Sequence, residues 1–128
     1  MIKTKVFYIL LWIQGIYTLI TAVWPLLHID SFIKVTGPKT DIWLVKTVAV
    51  LLVAISVCFI SNIFIRTNKL PVILLALTSS IGLIFIDFYY AINGVISWVY
   101  MGDGILQIIF MVTWTYILLS FRAELKKT

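Results

Sequence analysis

Lys46 and Asp87 are ionisable side chains set inside otherwise apolar runs, and they carry the chemistry this chain could do. Burying a charge at the centre of a membrane helix costs about 2.5–3.5 kcal/mol even on insertion scales, so such residues call for a partner or a purpose. Lys46 follows the helix-starting Asp41 by a turn and a half, about 7–8 Å along an α-helix. Asp87 precedes the turn residue Asn93 by about 9 Å. Equal depth and opposite sign predict an ion pair. Gln107 and Thr21, about 6 and 9 Å inside their own runs, fall at the same level. With Tyr90 one turn from Asp87 and Asp103 one turn from Gln107, these residues predict a polar pocket for a ligand (Asp87, Lys46, Gln107, Tyr90, Thr21 and Asp103). Gln14, Thr18, Thr21, Pro25 and His28 continue the polar stripe along the first helix.

Each of these residues also has a plainer reading. The Lys46–Asp87 pair could fix helix rotation, with hydroxyls and amides as interhelical glue. Lys46 could extend its stem along apolar surface and place its ammonium at the interface. Asp41 and Asp103 stand where helix N-caps belong. Gln14 suits a bond to a neighbouring helix, and Trp12, Met111 and Trp114 suit packing. An Asp/Lys pair could also serve acid–base catalysis on a lipophilic substrate, but the reaction signatures of known enzymes are missing. There is no nucleophile elbow, phosphate-cradling Gly loop or His-x-x-x-His pair, and one His with one Cys leaves no metal or haem set. No catalytic residue, metal or cofactor is expected. Cys58 has no intrachain disulfide partner.

The elements that must hold these residues are four apolar runs, Val6–Leu27, Ile42–Phe64, Leu70–Ile92 and Gly104–Phe121. Each is long enough to cross a ~30 Å hydrocarbon core as a helix, the form in which a single run satisfies its own backbone in lipid. Hydrophobic residues make up 62% of the chain and charged residues only 12%, which leaves no segment to build a soluble domain. The expected fold is therefore all-α: one transmembrane domain over residues 1–128, an integral membrane four-helix bundle of up-down topology. The net charge of +5 belongs to span flanks, so it argues for orientation and against a nucleic-acid partner. Lys3, Lys5, Arg66, Lys69, Arg122, Lys126 and Lys127 fall on the side of the termini, and Lys34, Lys39 and Lys46 on the other. The acids Asp30, Asp41, Asp87 and Asp103 fall opposite the termini, and only Glu124 falls on the side of the termini. This asymmetry places both termini in the cytoplasm. The first run is too long for a signal-peptide core and lacks a cleavage site, so it is read as a retained helix.

The connections carry further expectations. The short basic stretch Ile65–Lys69 predicts that the second and third spans are neighbours, with Pro71 in the first turn of the third. Asp30 or Ser31 should cap a short interfacial helix bearing Phe32, Ile33 and Val35. Gly37-Pro38 should turn the chain, and Thr40 or Asp41 should cap the second span. After the Asn93-Gly94 turn, the apolar segment Val95–Met101 should rest on the membrane surface and gate the pocket. Trp24, Trp43, Tyr89, Tyr90, Trp98 and Tyr100 would form an aromatic belt at that level.

The segment Val35–Val48, running through Thr36-Gly37-Pro38-Lys39-Thr40-Asp41-Ile42-Trp43 into the second span, and the Asp87-Phe88-Tyr89-Tyr90 end of the third resemble small bacterial membrane proteins of the DoxX-like type. The resemblance implies a four-helix protein of the bacterial inner membrane and transfers no catalytic residue. The association of some such proteins with quinone-linked redox systems favours a lipophilic ligand. Small multidrug exporters share the size and helix count, but their first span carries an essential glutamate where this chain offers Gln14. The expectation is a multi-pass protein that binds or carries a small amphipathic or lipid-like molecule near the outer leaflet. The alternatives are an accessory subunit of a membrane complex and an enzyme acting on a lipophilic substrate. Expected partners are membrane lipids, a small lipophilic ligand, and a second copy or a larger membrane complex.

Overall fold

The structure, a computed structural model, describes residues 2–65 and 68–127, with side chains over 4–65 and 68–123. The side chains of Lys3, Arg66, Glu124, Lys126 and Lys127, which enter the charge tally, lie outside the described residues. Five helices follow one another: α1 Ile2–Leu27, α2 Ile29–Thr36, α3 Ile42–Phe64, α4 Leu70–Ile92 and α5 Val99–Lys127. No strand occurs among the described residues. Four of the helices are long and apolar enough to cross a membrane, which marks a multi-pass membrane protein. The bounds of α3 and α4 coincide with the apolar runs: Asp41 precedes α3, Lys69 precedes α4, and the Asn93-Gly94 turn ends α4.

The helix ends show where local chemistry departs from expectation. Helix α2 begins one residue before Asp30. Its cap is His28, whose Nδ1 accepts the Ser31 N–H at 3.2 Å, so neither Asp30 nor Ser31 caps it. Asp41 stands at the N-cap of α3 but makes no side-chain cap bond. Pro71 occupies the first turn of α4, where its missing N–H costs nothing, and the Asn68 side chain accepts the Leu70 N–H at 3.0 Å. Helix α5 starts at Val99, five residues before Gly104, and just ahead of it Ser97 Oγ accepts the Val99 N–H at 3.3 Å. The connection is thus 93–98 alone, and Val99–Met101 are helical. Asp103 consequently lies inside α5 and is not its cap. Gly37 and Gly94, with φ of 98° and 74°, make the two turns that only glycine adopts without strain.

All four long helices contribute to a core of Phe7, Leu10, Leu11, Phe59, Ile73, Ala76, Phe110, Trp114 and Ile117. Phe7 meets Trp114 edge to face at 5.7 Å between ring centroids. Large side chains such as Ile13, Leu51, Phe85 and Ile109 face outward, as lipid contact requires. At one end of the bundle α2 leans on α1 and α5. There Lys39 Nζ sits 5.0 Å from the Tyr100 ring centroid, and Trp24 donates to Ser31 Oγ at 2.8 Å. Trp43, Tyr89, Tyr90 and Trp98 are exposed near this end. At the other end Lys69 Nζ lies 5.1 Å from the Phe7 ring centroid and ties the start of α4 to α1.

The helices pair differently from the expectation drawn from loop length. Helix α1 packs along α3 and α4 along α5, whereas α3 and α4 touch little despite their short connection. A short connection only limits the distance between helix ends. Close packing in lipid follows the small residues that let backbones approach, and these lie on the other two seams. Gly15 faces α3, where an added Cβ would stand 3.1 Å from Ile60 Cγ1. Gly104 faces α4, where an added Cβ would stand 2.7 Å from Phe88 Cε2. Gly104→Ala should therefore destabilise the bundle by about 1–3 kcal/mol through overpacking. Gly82→Ala, with open space around the new Cβ, should cost nothing. Reversible unfolding in mixed micelles measures both, and a Gly104→Ala protein as stable as wild type would refute this account of the α4–α5 seam.

Candidate functional site

Two polar layers cross the bundle. In the deeper one, Gln14 on α1 donates from Nε2 to Ser80 Oγ on α4 at 3.1 Å. Its Oε1 accepts the Trp114 indole N–H from α5 at 2.5 Å. All three side chains are buried, and one amide thereby ties three helices together. Gln14 bonds its neighbours, and Trp114 packs while giving up its single donor. This layer is satisfied and structural.

The second layer lies nearer the α2 end. Asp87, on α4, is 3% exposed, and Gln107, on α5, is likewise 3% exposed. Asp103, one turn before Gln107, is half-buried. Asp103 is the acidic neighbour that acts on the Asp87 carboxyl. Tyr17 of α1 donates its hydroxyl to Asp103 Oδ1, and Gln107 Nε2 donates to the same oxygen at 3.4 Å. Asp87 Oδ2 and Gln107 Oε1 are buried without any hydrogen-bond partner. The layer holds more acceptors than donors.

The close approach at Gly104 explains this juxtaposition. With no Cβ against the Phe88 ring, α5 comes near enough to α4 for Asp103 to reach the residue preceding Phe88. Two carboxyl groups side by side in a low-dielectric interior repel when both are charged. Tyr17 and Gln107 stabilise only the Asp103 side of the pair.

Of the residues expected to line a pocket, the structure brings Asp87, Asp103 and Gln107 together and leaves the others apart. Lys46 is exposed, so the ion pair with Asp87 does not form. The reason is azimuth: α3 packs on α1, while Asp87 faces α5, and equal depth does not make two side chains meet. An exposed Lys46 with a long apolar stem matches the interfacial reading. Thr21 is half-buried and spends its hydroxyl on the Thr18 carbonyl at 3.0 Å, within its own helix. Tyr90 is exposed one turn from Asp87. Among the described residues no cationic side chain lies within ion-pair distance of Asp87.

Tyr17 has no place in the expected pocket, whereas Asp87 and Asp103 both do. Tyr17 sits three residues after Gln14 and four before Thr21, on the stripe already recognised, and that spacing was the available signal. What differs is the neighbour of Asp87: Lys46 is the expected partner, and Asp103 takes that place. Compared with family models, characterised proteins and solved structures, the chain matches none.

The two layers should respond differently to substitution. Gln14→Leu strips partners from Trp114 and Ser80 and should destabilise the bundle by about 1–2 kcal/mol. In a double-mutant cycle, Gln14→Leu with Trp114→Phe should show a coupling energy of at least about 0.5 kcal/mol. Strict additivity would mean that the buried bond contributes nothing.

Proposed function

We propose that this protein is a multi-pass protein of the bacterial inner membrane that binds or carries a small amphipathic or lipid-like molecule. In this reading the helices run up and down with both termini cytoplasmic, as the distribution of basic flanks favours. The head group would occupy the layer of Tyr17, Asp87, Asp103 and Gln107 beneath the outer leaflet. Thr21 and Tyr90 would stand at its margin, and the tail would lie among apolar side chains. The DoxX-like pattern around Val35–Val48 and Asp87–Tyr90 agrees with a lipophilic ligand.

The observation that carries the proposal is the pair of buried acceptors, Asp87 Oδ2 and Gln107 Oε1, left without donors. Buried polar groups in folded proteins are nearly always paired, and an unmet acceptor costs about 1–3 kcal/mol. A layer serving only to hold helices together would be expected to look like Gln14–Ser80–Trp114, where the amide bonds on both sides. The same contrast weighs against a purely structural accessory subunit.

Native mass spectrometry of the purified protein provides the test. A small bound molecule should accompany the wild type and be lost from Asp87→Asn, with affinity reduced roughly tenfold or more for the loss of one charge-assisted hydrogen bond. Lys46→Met should retain the molecule, because the ammonium stands outside the layer. Retention in Asp87→Asn, or a wild type that never carries an adduct, would overturn the proposal.

A further inference from the structure

The opposite end of the bundle, where α1 begins and α5 ends, holds a cavity of about 90 Å3 between α1, α4 and α5. Helical spacing builds it. Thr4 and Phe7 share one face of α1, Ile117, Ser120 and Phe121 share one face of α5, and Lys69 stands just ahead of α4. The space is several times what one water molecule needs. Phe7, Ile117 and Phe121 make apolar walls, and the polar groups are two hydroxyls and one ammonium. A lysine at the end of a span ordinarily extends away from the bundle into water. Lys69 instead is half-buried and folds back over α1, its Nζ 5.1 Å from the Phe7 ring centroid and 5.5 Å from that of Tyr8. The rings attract the charge but offer its N–H bonds no oxygen. Of the five acids, Asp30, Asp41, Asp87 and Asp103 belong to the other end, and the side chain of Glu124 lies outside the described residues. Lys5 and Arg122, exposed next to Thr4 and Phe121 in the chain, add two further cations.

From this geometry we infer that the cavity holds the phosphate of a net-anionic membrane phospholipid, with Lys69 as its counter-ion and the Thr4 and Ser120 hydroxyls as donors. The site is separate from the Asp87 layer and does not rest on the ligand proposed there. A phosphate diester brings acceptor oxygens and one negative charge, the complement of an ammonium and two hydroxyls. The three polar residues stand at the level of lipid head groups. Thr4 opens one candidate span, Lys69 immediately precedes another, and Ser120 falls within a turn of the end of a third. Basic pockets between transmembrane helices are a recurrent way of holding such head groups. What lies beyond the cavity favours a lipid over free phosphate. Val112 and Tyr116 continue the Ser120 row along α5 at steps of four, both exposed, and give an acyl chain an apolar track into the membrane. A zwitterionic head is a poorer match, because its own cation would be repelled by Lys69, Lys5 and Arg122.

Lipid titrations of the full-length protein in neutral detergent test this, with binding read by native mass spectrometry and thermal unfolding. Dioleoylphosphatidylglycerol should bind at least about tenfold more tightly than dioleoylphosphatidylcholine. Lys69→Gln should lower the phosphatidylglycerol affinity about tenfold or more, and Thr4→Ala combined with Ser120→Ala about threefold or more. Lys46→Met removes the same charge from the other end and should leave that affinity unchanged, as should Asp87→Asn. Inorganic phosphate in excess should not displace the lipid. Equal binding of the two lipids overturns the inference, and so does undiminished affinity in either cavity variant. An equal loss in Lys46→Met would mark diffuse charge attraction and overturns it too. Displacement by inorganic phosphate overturns the lipid assignment, and dependence on Asp87 would move the lipid to the other layer. The two proposed sites thus fail separately, one by Asp87→Asn and the other by Lys69→Gln. Where Lys69→Gln fails to fold, the two lipids and inorganic phosphate on the wild type, with the hydroxyl variant, decide the matter.

Discussion

Lipid offers no hydrogen-bond partner, so every polar group this bundle takes out of water must be met by another part of the bundle. The constraint makes the backbone helical, since only the helix pairs each amide within its own segment. It also makes the few polar side chains in the spans informative. Gln14 obeys fully, with Ser80 on one side of its amide and Trp114 on the other. The Asp87 layer obeys in part: Asp103 has two donors, while Asp87 Oδ2 and Gln107 Oε1 have none. Two layers in the same four helices therefore meet the same demand to different degrees.

Packing decides which side chains share a layer. Apolar side chains gain nothing by leaving lipid for one another, so helix pairing depends on van der Waals fit and close backbone approach. Gly15 on the α1–α3 seam and Gly104 on the α4–α5 seam provide that approach. The second has a chemical consequence. The fit of Gly104 against Phe88 brings the beginning of α5 beside the end of α4, and Asp103 arrives next to Asp87 as a result. A side chain at residue 104 would enlarge the interval between the carboxyls before it touched either one. Seam and site are thus the same contact seen from two sides.

Much of this architecture was legible in the sequence, because hydropathy and turn residues act along the chain. The limits of α3 and α4, the Gly37 and Asn93-Gly94 turns and the Pro71 start are local properties, and all appear where expected. Depth is also local, so Asp87 and Gln107, expected at one level, do share a buried layer. Rotation about the helix axis is not local. It depends on which partner a helix meets, and the long-range choice of α1 by α3 turned Lys46 away from Asp87. The start of α5 was missed for a related reason. Val95–Met101 is apolar without helical spacing, and the one local mark of its division into connection and helix is Ser97, whose Oγ accepts the Val99 N–H.

The exchange of Lys46 for Asp103 as the neighbour of Asp87 reverses the chemistry of the site. A lysine–aspartate pair is neutral overall and could be a finished structural device, its desolvation offset by its own attraction. Two carboxyls with a tyrosine and an amide close on themselves only by sharing a proton, and Asp87 Oδ2 and Gln107 Oε1 still stand without a partner. Substituting an apolar residue of similar volume for a buried polar group is often neutral or stabilising, so a bundle selected for stability alone gains little from Asp87. The satisfied layer, one to two turns away along the same helices, shows that they can close a polar network when closure is all that is required. An acceptor left open beside a second acid, on the seam that glycine draws tight, fits a layer whose missing donor comes from outside the chain.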